Sequence, residues 1–214
     1  MIDASARWAR HWRLRVSPAA WSALLLERTT LADEPYVKQW AELGWPMICT
    51  RVPPDTPRTM VSAGLSLPPS AVRRRFSLLL PADAIERAEP PLKLLAAAPS
   101  APAAWARCIE ALIDAAPDVA VFGSLALQQE TGLAYLRRDS DLDVLLAHHG
   151  REHSERLLRH VAEIAASAPM RLDGELIRAD GTAAQWRELH GGAAEVLVKK
   201  PAGVALMRRE DFLA

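Results

Sequence analysis

Val119-Ala120-Val121-Phe122-Gly123-Ser124 and, further along, Ser140-Asp141-Leu142-Asp143-Val144-Leu145-Leu146 are the stretches from which the fold can be read. The first is a short apolar run that stops at Gly-Ser, the pattern of a buried strand ending in a tight turn. The second alternates acids with aliphatics, the pattern of a strand with one face buried. Side chains alternate along a strand, so Asp141 and Asp143 project from the same face, roughly 6–7 Å apart, while Leu142, Val144 and Leu146 point into a core. Two carboxylates so placed suit divalent cations that stabilise the attacking and leaving oxygens of an in-line displacement at phosphorus. A glycine ahead of them lets backbone approach a phosphate closely, and the Ser124 hydroxyl with the following N–H groups can donate to it. Asp-x-Asp alone also fits an ordinary half-exposed strand, and Gly-Ser alone an ordinary turn. In this order, each at the end or start of an apolar strand, they point to phosphoryl transfer.

At 214 residues the chain has room for one large domain or two small ones. Half of its residues are hydrophobic and 24% are charged, as in a soluble globular protein. No apolar run reaches spanning length, and the Arg- and Trp-rich opening lacks the apolar core of a secretory signal. The expectation is a cytoplasmic protein without membrane association. Cys49 and Cys108 lie in unrelated apolar contexts and read as buried, reduced thiols. Net charge is zero, which speaks against non-specific nucleic-acid binding. The distribution is uneven: residues 1–100 hold 13 basic and 9 acidic side chains, and residues 101–214 hold 13 and 17. The acidic half contains the paired aspartates; the basic half would suit an acidic partner or a polyphosphate.

The Pro- and Ala-rich segment around 88–104 is the natural divider, giving an expected unit over 1–90, a linker over 91–104 and a second unit over 105–214. In the first, helices are expected at Pro18–Glu27 and Glu34–Leu43 and strands near Pro46–Arg51, Thr59–Leu65 and Arg73–Leu80. In the second, an amphipathic helix around Trp105–Ile113 precedes the Val119 strand. A helix from Ser124, the Asp141 strand, a helix around Leu157–Ala165 and a strand over Met170–Arg178 follow. Thr182 with Gln185 has the form of a capping box opening a helix through Leu189. Strands near Val196–Lys199 and Val204–Arg208 close the chain. Strands and helices mixed in this way, several joined too tightly for crossovers, give α+β units with a mixed sheet.

A third carboxylate fits the same chemistry. In Arg171-Leu172-Asp173-Gly174-Glu175-Leu176, Asp173 and Glu175 share a strand face, and Gly174 permits close approach of another backbone. Asp173 is the preferred third acid and Glu175 the reserve; a solvated strand face accounts for the pair equally well. His148, His149 and His153 match no zinc spacing and read as a solvated loop. The tryptophans read as packing residues rather than as a stacking platform for adenine.

Gly123-Ser124 with Ser140-Asp141-Leu142-Asp143-Val144-Leu145 resembles the DNA polymerase β-like nucleotidyltransferase superfamily, although the 16 residues between Ser124 and Asp141 exceed the gap usual there. The run Gly123-Ser124-Leu125-Ala126-Leu127-Gln128-Gln129-Glu130-Thr131-Gly132-Leu133-Ala134-Tyr135-Leu136 narrows the resemblance. It is similar to the malonate decarboxylase holo-(acyl carrier protein) synthase family, also called phosphoribosyl-dephospho-CoA transferase. His11, Leu43-Gly44-Trp45-Pro46, Gly64-Leu65-Ser66-Leu67-Pro68-Pro69 before Arg73-Arg74-Arg75, Leu172–Leu176 and Glu195–Lys199 extend the likeness over most of the chain.

The resemblance implies a nucleotidyltransferase catalytic unit at 105–214 and a substrate- or carrier-recognition unit at 1–90. It implies a donor, 2′-(5″-triphosphoribosyl)-3′-dephospho-CoA, and an acceptor, a serine of the apo acyl carrier protein of malonate decarboxylase, with pyrophosphate leaving. Asp141, Asp143 and Asp173 would hold Mg²⁺, in two ions, with Mn²⁺ as a substitute. Gly123, Ser124 and Lys199 would grip phosphate, with Lys200 and Arg138 in reserve; separately, the run Arg73-Arg74-Arg75 in the basic half reads as a patch for docking an acidic carrier or for phosphate. Two other functions fit the same residues: transfer of AMP or another nucleotide from a nucleoside triphosphate, and a non-catalytic module that binds a carrier protein or a toxin.

Overall fold

The computed structural model describes residues 8–53, 55–69, 74–201 and 203–214. The chain divides into Met1–Pro91 and Leu92–Ala214, each with its own sheet and core.

The first unit is built on five antiparallel strands: β1 (Arg13–Val16), β2 (Met47–Cys49), β3 (Met60–Ser66), β4 (Arg75–Pro81) and β5 (Ile85–Glu89). Their order across the sheet is β4-β3-β2-β1-β5. Helix α1 (Pro18–Glu27) starts where Ser17 Oγ accepts from Ala20 N, with Pro18 in the first turn, where its missing N–H costs nothing. Trp21 enters the core from α1 and donates its indole N–H to Val37 O at 2.7 Å. A short helix α2 (Thr29–Ala32) follows.

The helix expected over Glu34–Leu43 does not form; Val37–Gln39 is a single 3₁₀ turn and the rest is irregular. Pro35 disfavours helical backbone in the residue before it, and Tyr36 takes a left-handed φ of 68°, which no right-handed helix can pass through. Val37, Trp40 and Ala41 still reach the core, since their spacing needs only one turn. Strands β1 and β5 are additions to the sequence reading.

The second unit holds seven strands: β6 (Leu92–Lys93), β7 (Ala120–Phe122), β8 (Leu142–Ala147), β9 (Leu172–Ile177), β10 (Ala183–Gln185), β11 (Glu195–Lys200) and β12 (Gly203–Arg208). The order is β12-β11-β10-β9-β8-β7-β6, and among the described residues only β8 and β9 run parallel. The helices are α3 (Leu94–Ala97), α4 (Ala106–Ala115), α5 (Gly123–Thr131), α6 (Arg151–Ser167), α7 (Trp186–His190) and α8 (Arg209–Leu213). A parallel neighbour demands a crossover, and α6 supplies it between β8 and β9. One face of the sheet, through Leu142, Val144, Leu146, Leu172, Leu176, Val196 and Val198, packs in a core with Ile109, Leu112, Leu157, Leu158, Val161 and Phe212.

Residues 91–104, expected as a linker, are folded from Leu92 onward. Leu94 and Ala97 sit one turn apart and are fully buried, and Leu94 N donates to Val119 O at 2.9 Å. Alanine is the best helix former, so an Ala-rich stretch needs only a few buried contacts to order it. The capping box is also absent. Ala183–Gln185 is strand, paired with β9 and β11, and the helix begins at Trp186. Two fully buried alanines fill a central strand there, and sheet pairing overrides the local cap pattern. Cys49 and Cys108 are free and buried, and burial raises both thiols, Cys49 to about 11. Among the described residues no helix is long and apolar enough to cross a membrane.

Candidate functional site

The site is a corner where β7 ends, β8 and β9 begin and α5 starts. Phe122 closes β7 in extended backbone, and Gly123 turns with φ of 68° into the first turn of α5. That conformation favours glycine, and the surroundings require it independently. A Cβ on Gly123 would stand 2.2 Å from Asp143 Oδ2 and 3.1 Å from its Cγ. The Asp143 carboxylate therefore rests against the backbone at the start of a nine-residue helix whose N-cap residue, Phe122, supplies no side-chain cap. The helix dipole and the first-turn N–H groups make that place favourable for anions, the Asp143 carboxylate included.

Register sets the neighbours. Asp143 is opposite Phe122 on β7 and opposite Asp173 on β9. Adjacent strands are about 4.8 Å apart, so the two acids stand side by side. Asp141 lies just ahead of β8, half-buried and two residues back along the same side as Asp143. A small turn holds it there: Arg137 N donates to Ser140 Oγ at 2.8 Å and Ser140 N to Arg137 O at 3.1 Å.

Asp173 is anchored through one oxygen. Its Oδ1 accepts from Gly174 N at 2.8 Å and from Gln185 Nε2 at 3.1 Å, while Oδ2 stands 3.8 Å from Arg171 Nη2. Gly174 is needed as well, since a Cβ there would lie 2.2 Å from Val144 O. Glu175, two residues on, is 5% exposed and receives Lys199 Nζ at 2.6 Å. That buried acid already has its cation. Lys200 is exposed and, by alternation, on the opposite face from Lys199; Arg138 is exposed in the loop before β8.

The structure thus brings Gly123, Ser124, Asp143 and Asp173 together, with Asp141 adjoining and the Glu175–Lys199 pair one row along. Lys200 and Arg138 stay outside this arrangement. Among the described residues no group of three or more His, Cys, Asp or Glu side chains converges to hold a metal unaided. The donor set still fits Mg²⁺: carboxylate oxygens are its preferred protein ligands, and it commonly uses one or two of them with substrate phosphates completing the shell.

Sequence reasoning missed Gln185, whose amide fixes Asp173, because its spacing from Thr182 imitated a helix cap. It missed the work of Gln128 too. Gln128 Oε1 accepts from Tyr135 N and Leu136 N at 3.1 and 3.0 Å, and Nε2 donates to Ser100 O at 2.8 Å. One half-buried amide thereby secures the long connection between the Gly-Ser turn and the aspartates. Elsewhere, His149 contacts Asp118 at 3.3 Å and His148 meets Leu213 O at 3.2 Å. Arg74 is ion-paired with Glu34, Arg75 is exposed, and Arg73 lies outside the described residues. Trp21, Trp40 and Trp186 are core residues.

Two mixed α+β units, the second bearing a carboxylate pair beside a glycine-opened helix, define the class. The family model for the phosphoribosyl-dephospho-CoA transferase MdcG N-terminal domain matches residues 9–91, and that for its C-terminal domain matches 92–210. The chain belongs to the phosphoribosyl-dephospho-CoA transferase family. A phosphoribosyl-dephospho-CoA transferase of Bradyrhizobium diazoefficiens is 43% identical over 209 residues, covering 96% of this chain and 92% of that protein. Relatives of the same name from Xanthomonas euvesicatoria pv. vesicatoria and Xanthomonas campestris pv. campestris are 34% and 32% identical. They cover 89% and 84% of this chain, and 89% and 86% of their own lengths are matched. No solved structure is significantly similar to the chain.

Proposed function

We propose that this chain transfers the phosphoribosyl-dephospho-CoA group from 2′-(5″-triphosphoribosyl)-3′-dephospho-CoA to a serine of the apo acyl carrier protein of malonate decarboxylase. Membership of the transferase family is the general ground. The observation that carries the site assignment is the Asp143 carboxylate packed against Gly123 at the start of α5, with Asp173 next to it in register.

On this reading the donor triphosphate lies at the first turn of α5, where Ser124 and the first-turn N–H groups hold the departing phosphates. Asp141 and Asp143 would hold Mg²⁺, which supplies positive charge to the triphosphate and the leaving pyrophosphate. The carrier serine oxygen forms a bond to the phosphorus nearest the ribose, and the bond from that phosphorus to pyrophosphate breaks. Asp173 completes the carboxylate set; Oδ1 already accepts two hydrogen bonds, so Oδ2, with only the 3.8 Å Arg171 contact, is the oxygen that would take the hydroxyl proton. The Lys199 side chain is part-exposed and adds charge on the same side. The class is that of a polymerase β-like nucleotidyltransferase acting in the cytoplasm. The first unit, with its basic balance, recognises the substrate or the carrier.

Incubation with apo carrier, Mg²⁺ and the triphosphoribosyl donor should give one adduct per carrier by intact mass, with equimolar pyrophosphate. EDTA should abolish it, and Mn²⁺ should restore part. Efficient AMP addition from ATP, with no adduct from the triphosphoribosyl donor, would replace this reading with nucleotide transfer.

A further inference from the structure

Strand β10 is short, with only Ala183, Ala184 and Gln185 between its longer neighbours β9 and β11. Both alanines are buried, so the one polar side chain of the strand is Gln185, half-buried and on the face that bears Asp173 and Glu175. Register puts Gln185 directly opposite Glu175. The side chain reaches along the diagonal instead, and Nε2 donates to Asp173 Oδ1 at 3.1 Å. Glu175 is served from a diagonal position too, by Lys199 on β11, whose own row holds Ala183 and Ile177. One acid of β9 thus receives an ammonium and the other a neutral amide.

That difference bears on the chemistry. Asp173 Oδ1 also accepts from Gly174 N at 2.8 Å, a bond local to β9. The second donor comes from another strand, and together the two fix the plane of the carboxylate and so the direction of Oδ2. Arg171, exposed and 3.8 Å from Oδ2, is too loosely held to do this. An ionised carboxylate only accepts, so Asp173 in turn dictates which end of the Gln185 amide faces it. A lysine at 185 could hold the carboxylate as firmly, but it would cancel the charge that a metal ion or an incoming proton needs.

We infer that Gln185 is a positioning residue for the transfer reaction: it aims Oδ2 of Asp173 at the acceptor proton without neutralising the acid. The inference rests on the role proposed above for Asp173. Gln185 acts only through that carboxylate, and partners that orient the acids of a metal site typically carry about 10–100-fold of affinity or activity.

The test measures adduct formation on the apo carrier by the full chain carrying Gln185→Met, which keeps the length and removes the donor, or Gln185→Lys, which keeps a donor and adds charge. Gln185→Met should lose about 10–100-fold in kcat, with donor and carrier KM within about twofold of wild type. Gln185→Lys should lose at least as much while its melting temperature holds or rises, since the ammonium gains a carboxylate partner. A merely structural glutamine would not drive turnover and stability apart in this way. In ¹⁵N-labelled protein one Gln185 side-chain amide proton should be shifted downfield by the carboxylate, and the shift should vanish in Asp173→Ala, a readout that needs no turnover. A kcat within about threefold of wild type in either Gln185 variant overturns the inference and leaves the transfer reaction standing. A Gln185 amide signal indifferent to Asp173→Ala does the same. Gln185→Asn, whose amide falls one methylene short, replaces Gln185→Met should that variant misfold, with the same loss expected. If wild-type protein instead adds AMP from ATP, the proposed transfer falls, and the same losses measured on that reaction sustain the positioning role.

Discussion

Asp173 and Glu175 stand two residues apart on β9 and face the same way, yet their surroundings differ. The Asp173 side chain is 27% exposed; a backbone N–H and an amide orient its Oδ1, and its one cation, the exposed Arg171, stands 3.8 Å from Oδ2. The Glu175 side chain is 6% exposed and has a lysine ammonium within hydrogen-bond distance. An acid oriented by neutral donors and met only by a long, solvent-exposed arginine contact can still recruit a cation with its substrate. An acid already paired holds the sheet together. Strand alternation makes the two look equivalent, and the residue on a strand two places away separates them.

The sharpest way to break this distinction is to remove charge at the oriented acids. Asp143→Asn and Asp141→Asn should each lower kcat/KM by about 10³-fold or more; melting temperature should hold in Asp141→Asn and fall slightly in Asp143→Asn, which gives up a carboxylate at the start of α5. Turnover near normal in either variant would dissolve the contrast. Gly123→Ala comes next. Its Cβ must displace the Asp143 carboxylate, and its φ becomes unfavourable, so activity should fall about 10²-fold with about 1–3 kcal/mol of stability lost in denaturant melts.

The paired acid should respond in the opposite sense. Glu175→Gln should retain more activity than Asp173→Asn but lose about 2 kcal/mol of stability, because it leaves the ammonium without its counter-charge; part-exposure of Lys199 keeps this below the cost of a fully buried pair. A Glu175→Met/Lys199→Met double variant should regain most of that loss. Activity falling equally in Glu175→Gln and Asp173→Asn would show that both acids serve catalysis. The smallest effect concerns Cys49, whose thiol is raised to about 11 by burial. It should resist iodoacetamide in the folded protein at pH 8. A raised pKa means the fold favours the neutral thiol, so its contribution is intact below pH 9 and fades between about 9 and 11. Rapid native-state alkylation at pH 8 would contradict this.

Much of the second unit could be read in advance because its strands obey simple patterns. Val119–Phe122 and Leu142–Leu146 are apolar enough to declare themselves, and Gly-Ser before Asp-x-Asp put the corner in view. β1 and β5 escaped because they alternate arginine or glutamate with apolar residues over only four or five positions. The helix at Glu34–Leu43 was misjudged because periodicity counts side chains and cannot see Tyr36 turning left-handed. Residues 91–104 have the composition of a linker, but Leu94 and Ala97 find a core. Gln185 illustrates the deepest limit: a cap pattern is local, and the pairing that overrules it comes from β9 and β11, which the local pattern does not contain.

The order of strands in the first unit bears on how the chain emerges during synthesis. β1 lies between β2 and β5, so the earliest strand made waits for the last, with Arg15 ion-paired to Glu89 and Arg13 Nε donating to Pro90 O at 2.9 Å. Nothing short of about residue 90 can close that sheet. Two residues later Leu92 opens the next one. The boundary therefore coincides with the first point along the chain at which the leading unit's sheet can be complete, and every residue of the candidate corner lies beyond it.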